Sequence, residues 1–373
     1  MIYTRLIALA LTGFAAQGKV LKDIENYTFE QFVSDFDHNF SPKEYAVRKG
    51  LFEAELTRVI KHNEGKGSWE ETINKFSAAT PLEKKARLGR SKAVHQAHSP
   101  KNLKQLPTDF TLDEVSSLPT AVDWRNTPNT VTSVKDQGHC GSCWAFAATA
   151  VLESHVALKT GLLYDLSPQQ IAMCAPNPDS CGGTGGCYGA TAEIAFDYVA
   201  GMSGILEEYQ LGYTAYSGSN SPCGFDSADA TPVATIDGYV KLAENNYTAL
   251  MNAIAKVGPI AVSVDASTWH SYEGGIFNGC NQEQPDINHA VTLVGYGEDN
   301  GQKYWTVRNS WSPSYGELGY IRVLRTDDDE SNCGMDITPQ DGTACEGETE
   351  PVKVCGTCGI LYDSSYPTGA ART

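Results

Sequence analysis

Cysteine is absent from the first 139 residues of this 373-residue chain, and all eleven cysteines lie between Cys140 and Cys358. Basic residues are also scarce, because 28 Lys and Arg stand against 45 Asp and Glu, for a formal net charge of −17. A chain with no cationic surplus is poorly suited to neutralising phosphates. The composition therefore argues against a nucleic-acid partner.

Long apolar runs are missing as well. The longest one, at residues 6–16, is too short to cross a bilayer, so we expect no membrane anchor. Arg5 precedes this run, and Ala16 and Gly18 place small residues at the positions before a cleavage site. These are the three parts of a secretory signal peptide, which we predict at residues 1–18.

The odd cysteine count is informative in an exported chain, because pairing leaves one thiol over. Five disulfides and one free thiol is the simplest arrangement of the eleven cysteines. A zinc site is the alternative for four cysteines near the C-terminus, namely Cys333, Cys345, Cys355 and Cys358. An oxidising compartment favours disulfides over zinc, so we expect no metal and no other cofactor.

Residues 19–116 and 117–373 differ in composition, and we place a domain boundary between them. The first part has helical patterning, and Ser41 and Pro42 are typical of an N-cap and a first helical position. The spacing of six residues keeps them on one face of the helix that follows: Glu44, Arg48, Phe52, Glu55, Val59 and Asn63. A short extended piece is predicted at residues 72–76.

The second part places its helices first and its strands later, which predicts an α+β fold of two lobes. A long helix is predicted to begin near Cys143 and to end at Gly161. Alternating or apolar runs predict strands at residues 260–264, 290–295, 303–308 and 320–325.

Cys143 follows a Gly-rich turn and lies in the first turn of the long helix. Unpaired backbone N–H groups and the positive end of the helix dipole favour a thiolate at this position. A thiolate is a nucleophile for acyl transfer. That chemistry also needs a base, a group that orients the base, and donors for the developing oxyanion.

His289 is the best-placed base, since it begins an apolar strand and can face across a cleft. His155 lies in the cysteine helix itself, about 18 Å from the thiol along the helix axis, and cannot reach it. Asn309 ends the next strand, where hairpin pairing would bring it to the imidazole, with Trp311 nearby to cover their hydrogen bond. The amide of Gln137 can lie beside the backbone N–H of the cysteine.

Three motifs occur in the order typical of the papain family of cysteine proteases, which this chain resembles: Gln137-Gly-His-Cys-Gly-Ser-Cys-Trp144, Asn288-His-Ala-Val291 and Arg308-Asn-Ser-Trp311. The resemblance implies Cys143 as nucleophile, His289 as base, Asn309 as orienting group and Gln137 as oxyanion donor. It implies an endopeptidase that works through an acyl-enzyme at mildly acidic pH.

The resemblance also implies a two-lobed papain-like fold. A helical left lobe and a β-barrel-like right lobe would enclose the active-site cleft, next to an α-helical propeptide domain. The upstream helix resembles the family's inhibitory propeptide motif, with Glu55 and Val59 as departures from the usual Asn and Ile. We therefore predict a zymogen in which residues 19–116 lie backward through the cleft and residues 117–373 form the mature enzyme.

Partners and location follow from the same resemblance. We expect protein and peptide substrates, the chain's own propeptide as an intramolecular inhibitor, and cystatin-like inhibitors. A monomer is expected. The expected location is the secretory pathway, ending in a lysosome or vacuole or outside the cell.

The resemblance implies seven substrate-binding positions, namely Gly189, Ala192, Ser263, Ile287, Ala290, Trp311 and Asp363. The apolar residues among them favour an apolar side chain before the scissile bond, whereas Asp363 would admit a basic one. Two parts of the Gly-rich loop are candidates for binding the substrate backbone. Alignment through the following helix favours Cys187 with Gly189. The alternative is Cys181 with the two glycines that follow it.

Several disulfides are implied by the resemblance: Cys140 with Cys187 or Cys181, Cys174 with Cys223, and Cys280 with Cys333 or Cys358. An insert at about residues 333–358 forms a Cys-rich C-terminal extension. Two other classes stay open as alternatives, a catalytically silent homologue used for binding and a disulfide-rich structural protein. The presence of all four catalytic residue types argues against the first, and three ordered motifs argue against the second.

Overall fold

The computed structural model describes residues 24–89, 107–226 and 230–373, so the predicted signal peptide lies outside the described residues. Within these ranges, no helix has both the length and the apolar character needed to cross a membrane. The α-helices there are α1 Phe29–Asp35, α2 Pro42–Glu64, α3 Pro81–Ala86, α4 Cys143–Thr160, α5 Pro168–Cys174, α6 Ala192–Gly201 and α7 Tyr247–Lys256. The strands are β1 Trp69–Glu71, β2 Val122–Asp123, β3 Ala234–Thr235, β4 Gly238–Lys241, β5 Ile260–Val264, β6 Tyr272–Phe277, β7 His289–Asp299, β8 Gln302–Arg308, β9 Tyr320–Leu324, β10 Cys333–Asp336, β11 Val352–Cys355, β12 Ser364–Thr368 and β13 Ala371–Arg372.

Residues 19–116, the predicted propeptide, are called the pro-segment below. Its helices α1 and α2 share a small aromatic core of their own. The side chain of Ser41 accepts the backbone N–H of Glu44, and Pro42 occupies the first turn, so the predicted start of α2 is confirmed. Phe52 and Val59, both on the predicted face, are buried in this core. Their burial stabilises a segment whose remaining surface is largely polar.

The extended piece predicted at residues 72–76 is wrong in position, because the strand is Trp69–Glu71. The side-chain amide of Asn63 donates to the carbonyl of the last strand residue at 2.8 Å and accepts its N–H at 2.9 Å. The chain then turns, since Asn74 Oδ1 accepts the N–H of Phe76 at 3.0 Å. Strand β1 pairs with β6 and adds the pro-segment to one edge of the main sheet.

Residues 117–373 have the predicted α+β layout. Helices α4, α5 and α6 pack together in one lobe, and the other lobe is built around a nine-stranded sheet. Its strand order is β1-β6-β9-β8-β7-β5-β12-β4, with β2 paired to β7, and the described strands follow an open path and not a closed barrel. Helix α4 packs against β7, so the two lobes meet along these elements.

Five disulfides are present and Cys143 is the one cysteine outside them, as the cysteine count predicts. The pairs are Cys140–Cys187, Cys174–Cys223, Cys181–Cys345, Cys280–Cys358 and Cys333–Cys355. Of the two partners predicted for Cys140, the structure therefore has Cys187 and not Cys181. Cys358 and not Cys333 completes the bridge at the C-terminal end, and the cysteines considered for zinc are all in disulfides.

Candidate active site

Helix α4 begins at Cys143, whose side chain is buried beneath the pro-segment. The hydroxyl of the preceding residue, Ser142, lies 2.7 Å from the Tyr213 hydroxyl and does not cap the helix. The disulfide between Cys140 and Cys187 holds the turn in front of the helix. The thiol thus lies at the positive end of an 18-residue helix, where a thiolate is stabilised.

His289 and Asn309 come together because the strands that carry them are neighbours. His289 is the first residue of β7, Asn309 directly follows β8, and the two strands pair antiparallel. Atom Nε2 of His289 lies 2.9 Å from Oδ1 of Asn309, and the Trp311 ring covers this contact with its centroid 4.9 Å from the imidazole. The backbone N–H of Ala290 lies 3.5 Å from the sulfur of Cys143, so the start of β7 adjoins the thiol.

Gln137 is fully buried, and its amide has a fixed orientation. The Ser310 hydroxyl donates to Oε1 of Gln137 at 2.5 Å, so Nε2 points the other way, into the cleft. That Nε2 donates to the carbonyls of Cys140 at 2.9 Å and of the pro-segment residue Arg87 at 2.8 Å. The role of Ser310 was not predicted from the sequence. Its position beside Asn309 in the third motif could have indicated it.

Residues Arg87, Leu88 and Gly89 of the pro-segment lie directly on these groups. The Cys143 thiol is 3.5 Å from the carbonyl oxygen of Leu88. Gly89 has a φ of +80°, and a Cβ at this position would come within 2.6 Å of the sulfur. A Cβ on Gly189 would come within 1.6 Å of the Gly89 carbonyl oxygen, so both positions need glycine for this close approach.

The other predicted substrate-binding residues lie on both lobes. Ala192 begins α6, Ser263 lies in β5, and Ile287 lies two residues before the start of β7. The Ser263 hydroxyl donates to a buried carboxylate, that of Asp363, at 2.6 Å. Lys241 also pairs with this carboxylate at 3.1 Å, a partner that the sequence did not reveal. The charge of Asp363 is therefore already balanced within the protein.

A second buried histidine, His270, adjoins the site, and no sequence pattern pointed to it. Its ring stacks on Trp311 with 4.8 Å between centroids, and Phe76 of the pro-segment contacts the two rings at 5.6 and 5.4 Å. Burial, together with the positive charges of Lys84 and Arg87, lowers the pKa of His270 to about 3. This imidazole is therefore neutral as long as the pro-segment covers it.

A helix-terminal thiol, a strand-borne imidazole with an amide partner, and a peptide backbone lying across them define a cysteine protease covered by its own pro-segment. Comparison with known proteins gives the family. Residues 118–342 match the model of the papain family cysteine proteases, and residues 29–83 match the cathepsin propeptide inhibitor domain. The chain belongs to the papain family of cysteine proteases.

Relatives in several organisms match most of the chain. Digestive cysteine proteinase 2 of Homarus americanus is 34% identical over 83% of this chain and 92% of its own length. The KDEL-tailed cysteine endopeptidase CEP2 of Arabidopsis thaliana is 34% identical over 90% of this chain and 91% of its own length. The structure of digestive procathepsin L 3 from the larval midgut of Tenebrio molitor is 31% identical, covers 91% of this chain and 97% of its own, and has a TM-score of 0.71. The predicted two-lobed fold is confirmed by this likeness.

Proposed function

We propose that Cys143, His289, Asn309 and Gln137 carry out peptide-bond hydrolysis in this papain-family protease. The observation that supports these roles is the position of the pro-segment backbone. One of its carbonyls accepts from Gln137 Nε2 at 2.8 Å and the next lies 3.5 Å from the Cys143 thiol. A site that holds peptide carbonyls on these two groups can hold the carbonyl of a scissile bond there.

The reaction would proceed in two balanced halves. The Cys143 thiolate attacks the scissile carbonyl carbon, and the resulting oxyanion is stabilised by the Gln137 amide. The oxyanion collapses, the C–N bond breaks, and the departing amine takes a proton from the His289 imidazolium. Water then gives a proton to the imidazole and attacks the thioester, which releases the carboxylic acid and restores the thiolate–imidazolium pair. Asn309 holds the ring in place throughout.

The precursor architecture leads to the proposed boundaries. We propose that residues 1–18 are a signal peptide, residues 19–116 the inhibitory propeptide, and residues 117–373 the mature enzyme, with an extension at about 333–358. Substrate side chains would contact the seven residues predicted for that role, namely Gly189, Ala192, Ser263, Ile287, Ala290, Trp311 and Asp363. We also propose activity at mildly acidic pH, because the pro-segment would be displaced under the same conditions.

The setting of the enzyme is proposed on similar grounds. Its five disulfides suit an oxidising compartment, and relatives include digestive and KDEL-tailed proteinases. We propose a monomer in the secretory pathway that acts in a lysosome or vacuole or outside the cell. Cystatin-like inhibitors would occupy the cleft that the pro-segment leaves.

Acidification of the purified precursor tests this function. We expect a drop in size to the mature chain, together with covalent labelling by an epoxide inhibitor of thiol proteases. The Cys143→Ser precursor should show neither. Equal processing and labelling of the two precursors would overturn the assignment of Cys143. An intact precursor that never hydrolyses a peptide would instead favour a silent homologue that only binds.

A further inference from the structure

The C-terminal insert is anchored to the sheet lobe at its first residues. Met335 donates its backbone N–H to the carbonyl of Glu283 at 3.1 Å. The carboxylate of Asp336 accepts the N–H of Ile287 at 3.1 Å. Ile287 is two residues before His289, so this end of the insert is attached directly beside the proposed catalytic base.

The same insert is anchored to the helical lobe by its later residues. Cys345 forms a disulfide with Cys181, which lies in the loop between α5 and α6. The N–H of Gly182, the next residue in that loop, donates to Ala344 O at 3.0 Å. This loop also carries Gly189, against which the pro-segment lies. Residues 335–345, which we name the strap, therefore connect the two lobes across the cleft.

Between these anchors the strap presents Asp341, whose side chain is only 7% exposed. Its Oδ2 lies 3.2 Å from the ammonium of Lys85, a residue of the pro-segment helix α3. Its Oδ1 is buried and has no hydrogen-bond partner among the described residues. Asp341 therefore belongs to the mature enzyme, whereas its cationic partner, Lys85, belongs to the pro-segment, which is removed on activation.

A cavity of about 440 Å³ lies between the pro-segment and the protease at this point. Lys85 and Leu88 line it on one side, and Asp286, Asn288 and Asp341 line it on the other. Leu88 is the residue whose carbonyl faces the candidate nucleophile, and Asn288 is the neighbour of the proposed base. The carboxylate of the strap therefore belongs to the substrate cleft and not to a remote surface.

The protease side of this cavity is acidic. Burial and the nearby carboxylates of Asp265, Asp336 and Asp341 raise the pKa of Asp286 to about 6. The cations that line the cavity all belong to the pro-segment, namely Arg58, Lys84 and Lys85. Removal of the pro-segment leaves several close carboxylates, whose repulsion a new cation would relieve.

We propose that the strap is a specificity element, and that Asp341 binds the ammonium or guanidinium of a Lys or Arg side chain in the peptide substrate. The substrate cation would take the place that Lys85 holds in the precursor. The disulfide to Cys181 keeps the strap across the cleft and so keeps Asp341 in position. This inference rests on the proposed function, because it assumes that substrates occupy the cleft.

Kinetics of the mature enzyme on designed peptides test the proposal. A set of internally quenched, N-acetylated peptides carries one lysine, moved one position at a time, and each is matched by a peptide with norleucine at that position. At neutral pH we expect one position at which lysine raises kcat/KM roughly tenfold over norleucine. Asp341→Asn should remove this difference and leave hydrolysis of the norleucine peptide unchanged.

Matched variants separate the strap from general effects. Glu350→Gln removes the same charge from an exposed position of the same insert and should keep the full lysine preference. The Cys181→Ser, Cys345→Ser double variant frees the strap from the helical lobe and should reduce the preference. Norleucine-peptide kinetics and epoxide titration of active thiol verify that each variant is folded.

Two results would overturn the proposal and one would remove its basis. A wild-type enzyme with no lysine preference at any position contradicts it, and so does an Asp341→Asn enzyme that keeps the whole preference. Failure of the wild-type enzyme to cut the norleucine peptides would instead contradict the proposed function, and the specificity inference would then have no basis.

Discussion

Atom Nε2 of His289 lies 2.9 Å from Oδ1 of Asn309, two residues that are 20 positions apart and meet through the pairing of β7 and β8. The Trp311 ring lies tilted against the imidazole and limits access of water to this hydrogen bond. A hydrogen bond in a dry environment is stronger than an exposed one. The pair therefore fixes the orientation of the imidazole ring.

Asn309→Ala removes the group that orients the imidazole. We expect kcat/KM to fall roughly 10- to 100-fold, since a buried hydrogen bond of about 1–3 kcal/mol is lost. Steady-state kinetics on one peptide substrate measure the change. Asn300→Gly, at the turn of the same hairpin with a φ of +50°, is the matched control and should be near wild type. Equal kinetics for the two variants would contradict the orienting role.

Gln137→Ala removes the proposed oxyanion donor. We expect kcat to fall roughly 100- to 1,000-fold with little change in KM, because the amide would act mainly on the transition state. Gln302→Ala, an exposed glutamine at the start of β8, serves as control. A rise in KM at unchanged kcat would mean that Gln137 only binds substrate.

Phe76→Ala weakens the binding of the pro-segment to the cleft. The Phe76 ring is 2% exposed and packs on His270 and Trp311. Truncation of this ring should make the free energy of pro-segment docking less favourable by about 3 kcal/mol, which corresponds to roughly 100-fold weaker docking. The unprocessed precursor should therefore hydrolyse peptides at neutral pH. Leu82→Ala, at a position of α3 that is 80% exposed, should leave the precursor silent, and a silent Phe76→Ala precursor would count against this contact.

We predict that His270 makes precursor processing depend on pH. Burial under the pro-segment lowers the pKa of His270 to about 3, against an ordinary value of 6.5 once it is exposed. The open state therefore binds more protons between these values, so docking of the pro-segment weakens as pH falls below 6.5. At a pH of about 5 this linkage amounts to at most roughly 2 kcal/mol.

The His270→Gln precursor carries a neutral side chain at every pH. Its processing rate should rise less steeply on acidification than that of wild type, by up to roughly 30-fold at a pH of about 5. Rates measured over a pH series, with added mature enzyme held constant, provide the comparison. Superimposable profiles for the two precursors would show that protonation of His270 does not drive opening.

Local signals made the helix and strand bounds around the site predictable. Helix α4 starts at Cys143 and ends at Thr160, and the next residue, Gly161, has a φ of +77° as expected of a left-handed cap. Strand β5 covers the predicted residues 260–264. Caps and alternation act within a few residues, so a single sequence contains them. The pairing of His289 with Asn309 followed because the two strands are consecutive.

Features that depend on distant contacts were not predictable in the same way. Strand β1 lies three residues earlier than predicted, because Asn63 at the end of α2 sets its position. The strap crosses the cleft because Cys181 pairs with Cys345, 164 positions away. The remaining cysteines are even in number and can pair in several ways, and no local sequence pattern distinguishes these pairings.

The central claim is that Cys143 is the reacting thiol, and peptide mapping of an inhibitor adduct tests it most directly. The acid-processed protein is treated with an epoxide inhibitor of thiol proteases, digested, and analysed by mass spectrometry. We predict one adduct per chain, located on Cys143, and no adduct in the Cys143→Ser variant. An adduct on another residue, or peptide hydrolysis that persists in the Cys143→Ser variant, would contradict the account.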